Sequence, residues 1–252
     1  MLESVASGAE LPTGRAKAEM VRRMFDTIAP RYDLLNRLMT LGLDRGWRRR
    51  AIRMLDLAPG SLVLDLACGT ADLARELSRS GQRAVGVDSS GGMLASARAG
   101  DARLLLADAG ALPFRSGALD GVVSGFALRN LADLPGVLAE CARVLRPGGR
   151  VALLEVDTPT SPLLETAHRI WMRSVVPRLG AALSDRAAYD YLPRSVAYLP
   201  PRAELLELLE RSGFRDAAHR PLSGGIAQVV TATRAGGVPL GQRRPAGSAR
   251  QG

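Results

Sequence analysis

Between residues 61 and 156 the chain alternates short apolar runs with helical stretches, and this alternation restricts the fold more than any other feature. SLVLDLA (61–67) reads as a strand, and Ala71 to Arg79 as a helix closed by Gly81. AVGVD (84–88) is a second strand, followed by a helix near 91–99 and the strand RLLLAD (103–108). LDGVVSGFA (119–127) is a fourth strand. A helix from Leu134 to Leu145, ended by Pro147, Gly148 and Gly149, leads to the strand RVALLEV (150–156). Strands joined through helices need right-handed crossovers, which lays them parallel in one sheet covered on both faces. Residues 161–200 are less regular; Arg202 to Arg211 is an amphipathic helix, and IAQVVTATR (226–234) a last strand. The expectation is an α/β, doubly wound, mostly parallel sheet with an antiparallel edge hairpin, preceded by helices over 16–56. Ligands of such sheets lie at the carboxyl ends of the strands, near the topological switch point.

The 252 residues suit one sizeable domain, which at this length buries about 70–75% of its unfolded surface. Its expected limits are 15–234, with a helical cap over 15–58, a flexible segment 1–14 and a disordered basic tail 235–252. The two cysteines, Cys68 and Cys141, lack companions for a disulfide framework or a zinc site, so no metal is expected. They favour a reducing, cytoplasmic location. No apolar run is long enough to span a bilayer, and the N-terminus lacks the order of a secretion signal. The net charge of +9 raises the question of nucleic acid. Almost all of that base is arginine, Lys17 being the single lysine, and few aromatics interleave with it as stacking would require. No nucleic-acid partner is therefore expected.

The stretch VLDLACGTADLA (63–74) joins the first strand to its helix through the small residues Ala67, Gly69 and Ala71. A dinucleotide would set its pyrophosphate at that helix start, and the Asp65 carboxylate would repel it. S-Adenosylmethionine carries no phosphate, and its methionyl end is cationic, so an acid there helps to hold it. The alternative is that Asp65 only bonds backbone. Asp88 ends the second strand, where a carboxylate can accept both ribose hydroxyls. Asp108 and Ala109 end the third, placed to hold adenine. Three acids at successive strand ends are costly as packing alone.

Upstream, MFDTIAPRYDLLNRLMTLGLDRGWRRRAI is similar to F-x-x-(I/V)-A-x-x-Y-D-x-x-N-x-x-M-S-x-G-x-x-R-x-W, and FALRNL, RVLRPGGR and YDYLPRSV extend the likeness over residues 19–233. The chain thus resembles the ubiquinone/menaquinone biosynthesis C-methyltransferases, class I S-adenosylmethionine-dependent enzymes. The resemblance implies a seven-stranded Rossmann-like sheet. It also implies methyl transfer to a ring carbon of a prenylated hydroquinone, demethylmenaquinol first and the ubiquinone precursor second. Cofactor contacts carry over to Thr70, Asp88, Asp108, Ala109 and Gly125, and the charge argument adds Asp65 and Gly69. Arg129 is the expected catalytic residue, stabilising a phenolate and taking no proton, because arginine stays charged; the alternative is a surface arginine at a helix start.

Tyr32, Asn36 and Tyr189 are the candidate substrate residues; the alternative is that Tyr32 and Asn36 only staple the N-terminal helices to the sheet, and Tyr189 and Tyr191 share both readings. Asn130 reads as a helix cap, and His168 and His219 as ordinary surface or packing residues. Two departures from the family pattern, Asp157 and Val230, fall toward the acceptor side. They leave room for an oxygen or nitrogen acceptor on another metabolite. Arg45, Arg48, Arg49, Arg50 and Arg53 surround Trp47 as a solvated face or as a contact for an anionic membrane.

Overall fold

Three helices precede the sheet: α1 (Gly14–Ile28), α2 (Tyr32–Met39) and α3 (Asp44–Leu55). They belong to a computed structural model that describes residues 12–159, 161–171, 174, 191 and 194–236, so Tyr189 lies outside the described residues. Val21, Met24 and Ile28 recur at helical spacing and turn α1 inward, where they pack with Leu35, Met93 and Tyr191. Lys17 is buried on the same helix. Its ammonium donates to the Leu131 carbonyl at 2.7 Å and lies 3.6 Å from the Tyr198 ring centroid. Burial lowers its pKa to about 8.

The sheet contains β1 (Leu62–Leu66), β2 (Arg83–Asp88), β3 (Arg103–Leu106), β4 (Leu119–Gly125), β5 (Leu145–Val156), β6 (Phe214–Leu222) and β7 (Ala227–Arg234). Their spatial order is β3-β2-β1-β4-β5-β7-β6. β1 to β5 run parallel, and β7 is antiparallel to both β5 and β6. The order reverses between β1 and β4, which is the switch point where a ligand is expected.

Alternation along each strand sends successive residues to opposite faces. Leu64, Val122 and Leu153 pack on one side with α6 (Leu134–Val144) and with the helix Arg202–Arg211. Val63, Val123 and Ala152 pack on the other side with Trp47, Ala51 and Leu55 of α3 and with Leu73 and Leu77 of α4 (Asp72–Arg79).

Several boundaries differ from the sequence expectation: the helix expected near 91–99 is α5 (Gly91–Ala95), and β3 and β4 end at Leu106 and Gly125. β5 begins at Leu145 and takes in Pro147, Gly148 and Gly149, with a register shift opposite Leu119 and Gly121. Residues 214–222 form the edge strand β6, which alternation did not mark. Asp216 there has φ +56° and Pro221 lacks an N–H, features that suit an edge and erase a strand signal. No helix among the described residues is long and apolar enough to cross a membrane.

Candidate active site

The turn after β1 makes a cradle. Ala67, Gly69 and Ala71 have φ of +52°, +54° and +64°, a left-handed conformation that is free for the glycine and costs each alanine, through its Cβ, about 1–2 kcal/mol. The Gly69 N–H donates to Asp88 Oδ2 at 2.7 Å, and the Ser90 N–H donates to Asp88 Oδ1 at 2.8 Å. Asp88, the last residue of β2, therefore ties two strand-end turns together. Burial raises its pKa.

Asp65 is buried inside β1, and its Oδ2 accepts from the Ala74 N–H in the first turn of α4 at 2.8 Å. The backbone-bonding alternative thus accounts for one oxygen, and Oδ1 has no hydrogen bond among the described residues. The Thr70 hydroxyl donates to Asp33 of α2, closing the N-terminal helices over the cradle. Gly125 ends β4 beside Leu73, where an added Cβ would come within 2.9 Å of the leucine Cδ1.

Burial raises the Asp65 pKa from 3.8 to about 7. Between those values the folded chain holds a proton that the unfolded chain has released, so Asp65 lowers stability as pH rises across that window. Melting temperatures of the ligand-free protein and Asp65→Asn should separate from pH about 4 to about 7, the variant being the more stable, and stay separated above. A gap independent of pH would contradict this assignment.

A cleft of about 90 Å³ is lined by Ala67, Gly69, Asp88, Met93, Gly125 and Asn130 among others. Small residues on its floor and a carboxylate at its wall fit an adenosyl cofactor without phosphate. Asp108 does not line this cleft: it is exposed, two residues beyond β3, and its Oδ1 accepts from the Gly110 N–H at 2.8 Å. Ala109 does not line it either.

Tyr32 and Phe126 line both this cleft and a second, apolar cavity of about 310 Å³. Phe126 has φ +61°, a costly conformation for a bulky residue. Its N–H donates to the Leu154 carbonyl at 2.7 Å, holding the ring at the junction. The apolar cavity also includes Asn36, Met39, Trp47 and Arg129, and Asp44 is its one carboxylate. Burial raises the Tyr32 phenol above its ordinary pKa of 10, so it is a hydrogen-bond donor near neutrality.

Arg129 sits in a single 3-10 turn, Leu128–Asn130, after β4, and is buried. This excludes the surface-arginine alternative. Its Nη1 pairs with Glu155 Oε1, its Nε donates to Ser195 Oγ at 3.1 Å, and its N–H donates to Glu155 Oε2 at 3.4 Å. Glu155 is wholly buried near the tip of β5, beside β4, and a carboxylate there requires a cation. Among the described residues Nη2 has no bonding partner.

Asn130 does not cap α6; Asp133 does, accepting from the Gly136 N–H. Asn130 Oδ1 instead accepts from the buried Tyr191 hydroxyl at 3.3 Å. Asp157 and Val230 do not line the acceptor cavity. Asp157 lies 3.1 Å from His219 and 2.9 Å from Arg202, and Val230 is core. His219 therefore lies within hydrogen-bond distance of Asp157 rather than isolated, a partner 62 positions away in sequence.

Residues 13–234 match the model of the ubiE/COQ5 methyltransferase family. The chain belongs to that family. One relative, the ubiquinone/menaquinone biosynthesis C-methyltransferase of Syntrophotalea carbinolica, is 45% identical over 221 residues, covering 84% of this chain and 93% of its own. The demethylmenaquinone methyltransferase of Mycolicibacterium vanbaalenii is 43% identical over 216 residues, with 85% and 95% covered. Among solved structures, a methyltransferase from Thermotoga maritima superposes with a TM-score of 0.61 at 17% identity, covering 85% of this chain and 99% of its own. That likeness supports the Rossmann-like methyltransferase fold. This family member is a methyltransferase with its two cavities meeting at Phe25, Tyr32 and Phe126.

Proposed function

We propose that the chain transfers the methyl group of S-adenosylmethionine to a ring carbon of a prenylated hydroquinone, demethylmenaquinol being the first acceptor. The observation that carries this is the 310 Å³ cavity, apolar except for a few groups, which meets the cleft holding Asp88 at three aromatic side chains, Phe25, Tyr32 and Phe126. When bound, the donor supplies an electrophilic methyl on a sulfonium. The chain's own residues do the rest.

Glu155 and Ser195 fix two edges of the Arg129 guanidinium, which leaves Nη2 to meet an oxygen on the acceptor ring. A preorganised cation at that oxygen favours the phenolate, whose ortho carbon is the stronger nucleophile. The C–CH3 bond forms as the S–CH3 bond breaks, and the ring proton passes to water, which restores aromaticity. Tyr32, Phe126 and Trp47 hold the ring and exclude water, and alignment of this kind contributes up to about 7–11 kcal/mol in ideal cases.

The test is methyl-labelled donor with reduced demethylmenaquinone in detergent, set against a catechol and bulk RNA. Label should enter the quinol; label in the catechol alone or in RNA would overturn the reading.

The acceptor's isoprenoid tail suggests contact with an anionic membrane. Leu41 and Leu43 at the cavity wall are exposed, as is Leu34 on α2. Arg45, Arg49, Arg50 and Arg53 are exposed on the adjoining α3. Neutralising Arg45, Arg49 and Arg53 should weaken binding to anionic vesicles by about 1 kcal/mol per residue at low salt. Unchanged binding would leave those arginines as a solvated face.

A further inference from the structure

The arginine cluster contains one residue that does not belong to its solvated face. Arg48 is 7% exposed, and its buried Nε has no hydrogen-bond partner among the described residues. Its ion pairs are loose: Nη2 lies 3.5 Å from Asp44 and Nη1 3.6 Å from Asp72. Charge-assisted hydrogen bonds run at about 2.7–2.9 Å. A nearly buried guanidinium with these distances carries donors that nothing in the described chain uses well, a state that is costly unless a ligand completes it.

Its surroundings indicate which ligand. Arg48 lines a recess of about 20 Å³ together with Asp65, Gly69, Thr70 and Gly125, at the same strand ends as the adenosyl cleft. That recess holds Arg48 beside two acids, Asp65 and Asp72, and Asp65 Oδ1 has no hydrogen bond among the described residues. A free α-amino acid end presents an ammonium and a carboxylate two bonds apart. Asp65 matches the first, and only a base can match the second.

We propose that Arg48 binds the α-carboxylate at the methionyl end of the donor, opposite Asp65, and so distinguishes an intact amino-acid end from a bare nucleoside. The inference rests on the donor assigned above.

The test compares S-adenosylhomocysteine with 5′-methylthioadenosine, which keeps the nucleoside and thioether but lacks the amino-acid end. Both are titrated calorimetrically into the full chain. Arg48→Gln should weaken S-adenosylhomocysteine by about 10–100-fold, the usual weight of charge-assisted bonds, and change methylthioadenosine less than about twofold. Arg48→Lys, which keeps the charge between Asp44 and Asp72, should lie between. Retained methylthioadenosine binding reports that each variant is folded.

Equal losses for both nucleosides, or no loss for either, would overturn the inference. Wild-type protein that takes up neither nucleoside would overturn the donor assignment and this inference with it.

Discussion

Arg129→Ala should slow turnover by about 100-fold or more while donor affinity barely moves. The loss is expected on the chemical step because Arg129 lines the cavity proposed for the acceptor and not the cleft proposed for the donor. The same substitution strands Glu155, wholly buried, without its cation. An orphaned buried charge costs about 3–5 kcal/mol, so part of any activity loss could be unfolding. Arg129→Lys separates the two effects. It keeps a positive charge for Glu155 and loses the fork that serves Glu155, Ser195 and the acceptor at once. It should remain folded and still lose about tenfold or more in kcat. Near-normal turnover in folded Arg129→Lys and Arg129→Ala would remove Arg129 from the mechanism.

The second large effect belongs to donor binding. Asp88→Ala should weaken S-adenosylhomocysteine by about 100-fold or more, because it removes the anchor of the Gly69 and Ser90 N–H groups as well as an acceptor for the ribose. Each hydrogen bond to a charged group is worth about 1.5–3 kcal/mol. Asp88→Asn keeps the shape and one acceptor oxygen, so its loss should be smaller. The wild-type carboxyl has a raised pKa, and donor binding should therefore weaken as pH falls through that value. Calorimetry across pH checks both statements. An Asp88→Ala protein with unchanged affinity would place the ribose elsewhere.

The central parallel strands were legible because the chain alternates two periods, and the cradle because small residues and acids sit at strand ends. What stayed hidden depends on contacts between segments remote in sequence. Glu155 stands 26 residues from Arg129, and only the adjacency of β4 and β5 joins them; an acid at one strand tip and an arginine just past its neighbour was the available signal. Arg48 read as one of a surface group because composition does not show which helix face turns inward. Spacing would have helped, since Asp44, Arg48 and the buried Ile52 lie four apart on α3. Phe126 was unmarked because nothing in a strand pattern announces a positive φ at a phenylalanine. The third acid, Asp108, illustrates the reverse case: its place after an apolar run matched the pattern, yet its side chain turns to solvent beside Gly110. β6 was lost to the devices that protect an edge.

Product analysis tests the account at its centre. With a carbon-13 methyl donor and demethylmenaquinol, nuclear magnetic resonance of the product distinguishes a methyl on a ring carbon from a methoxy group. The account predicts a ring-carbon methyl in wild-type product, strongly reduced in Arg129→Lys. A methoxy product would contradict it, since a cation that holds the phenolate oxygen should shield that oxygen and direct the methyl to carbon.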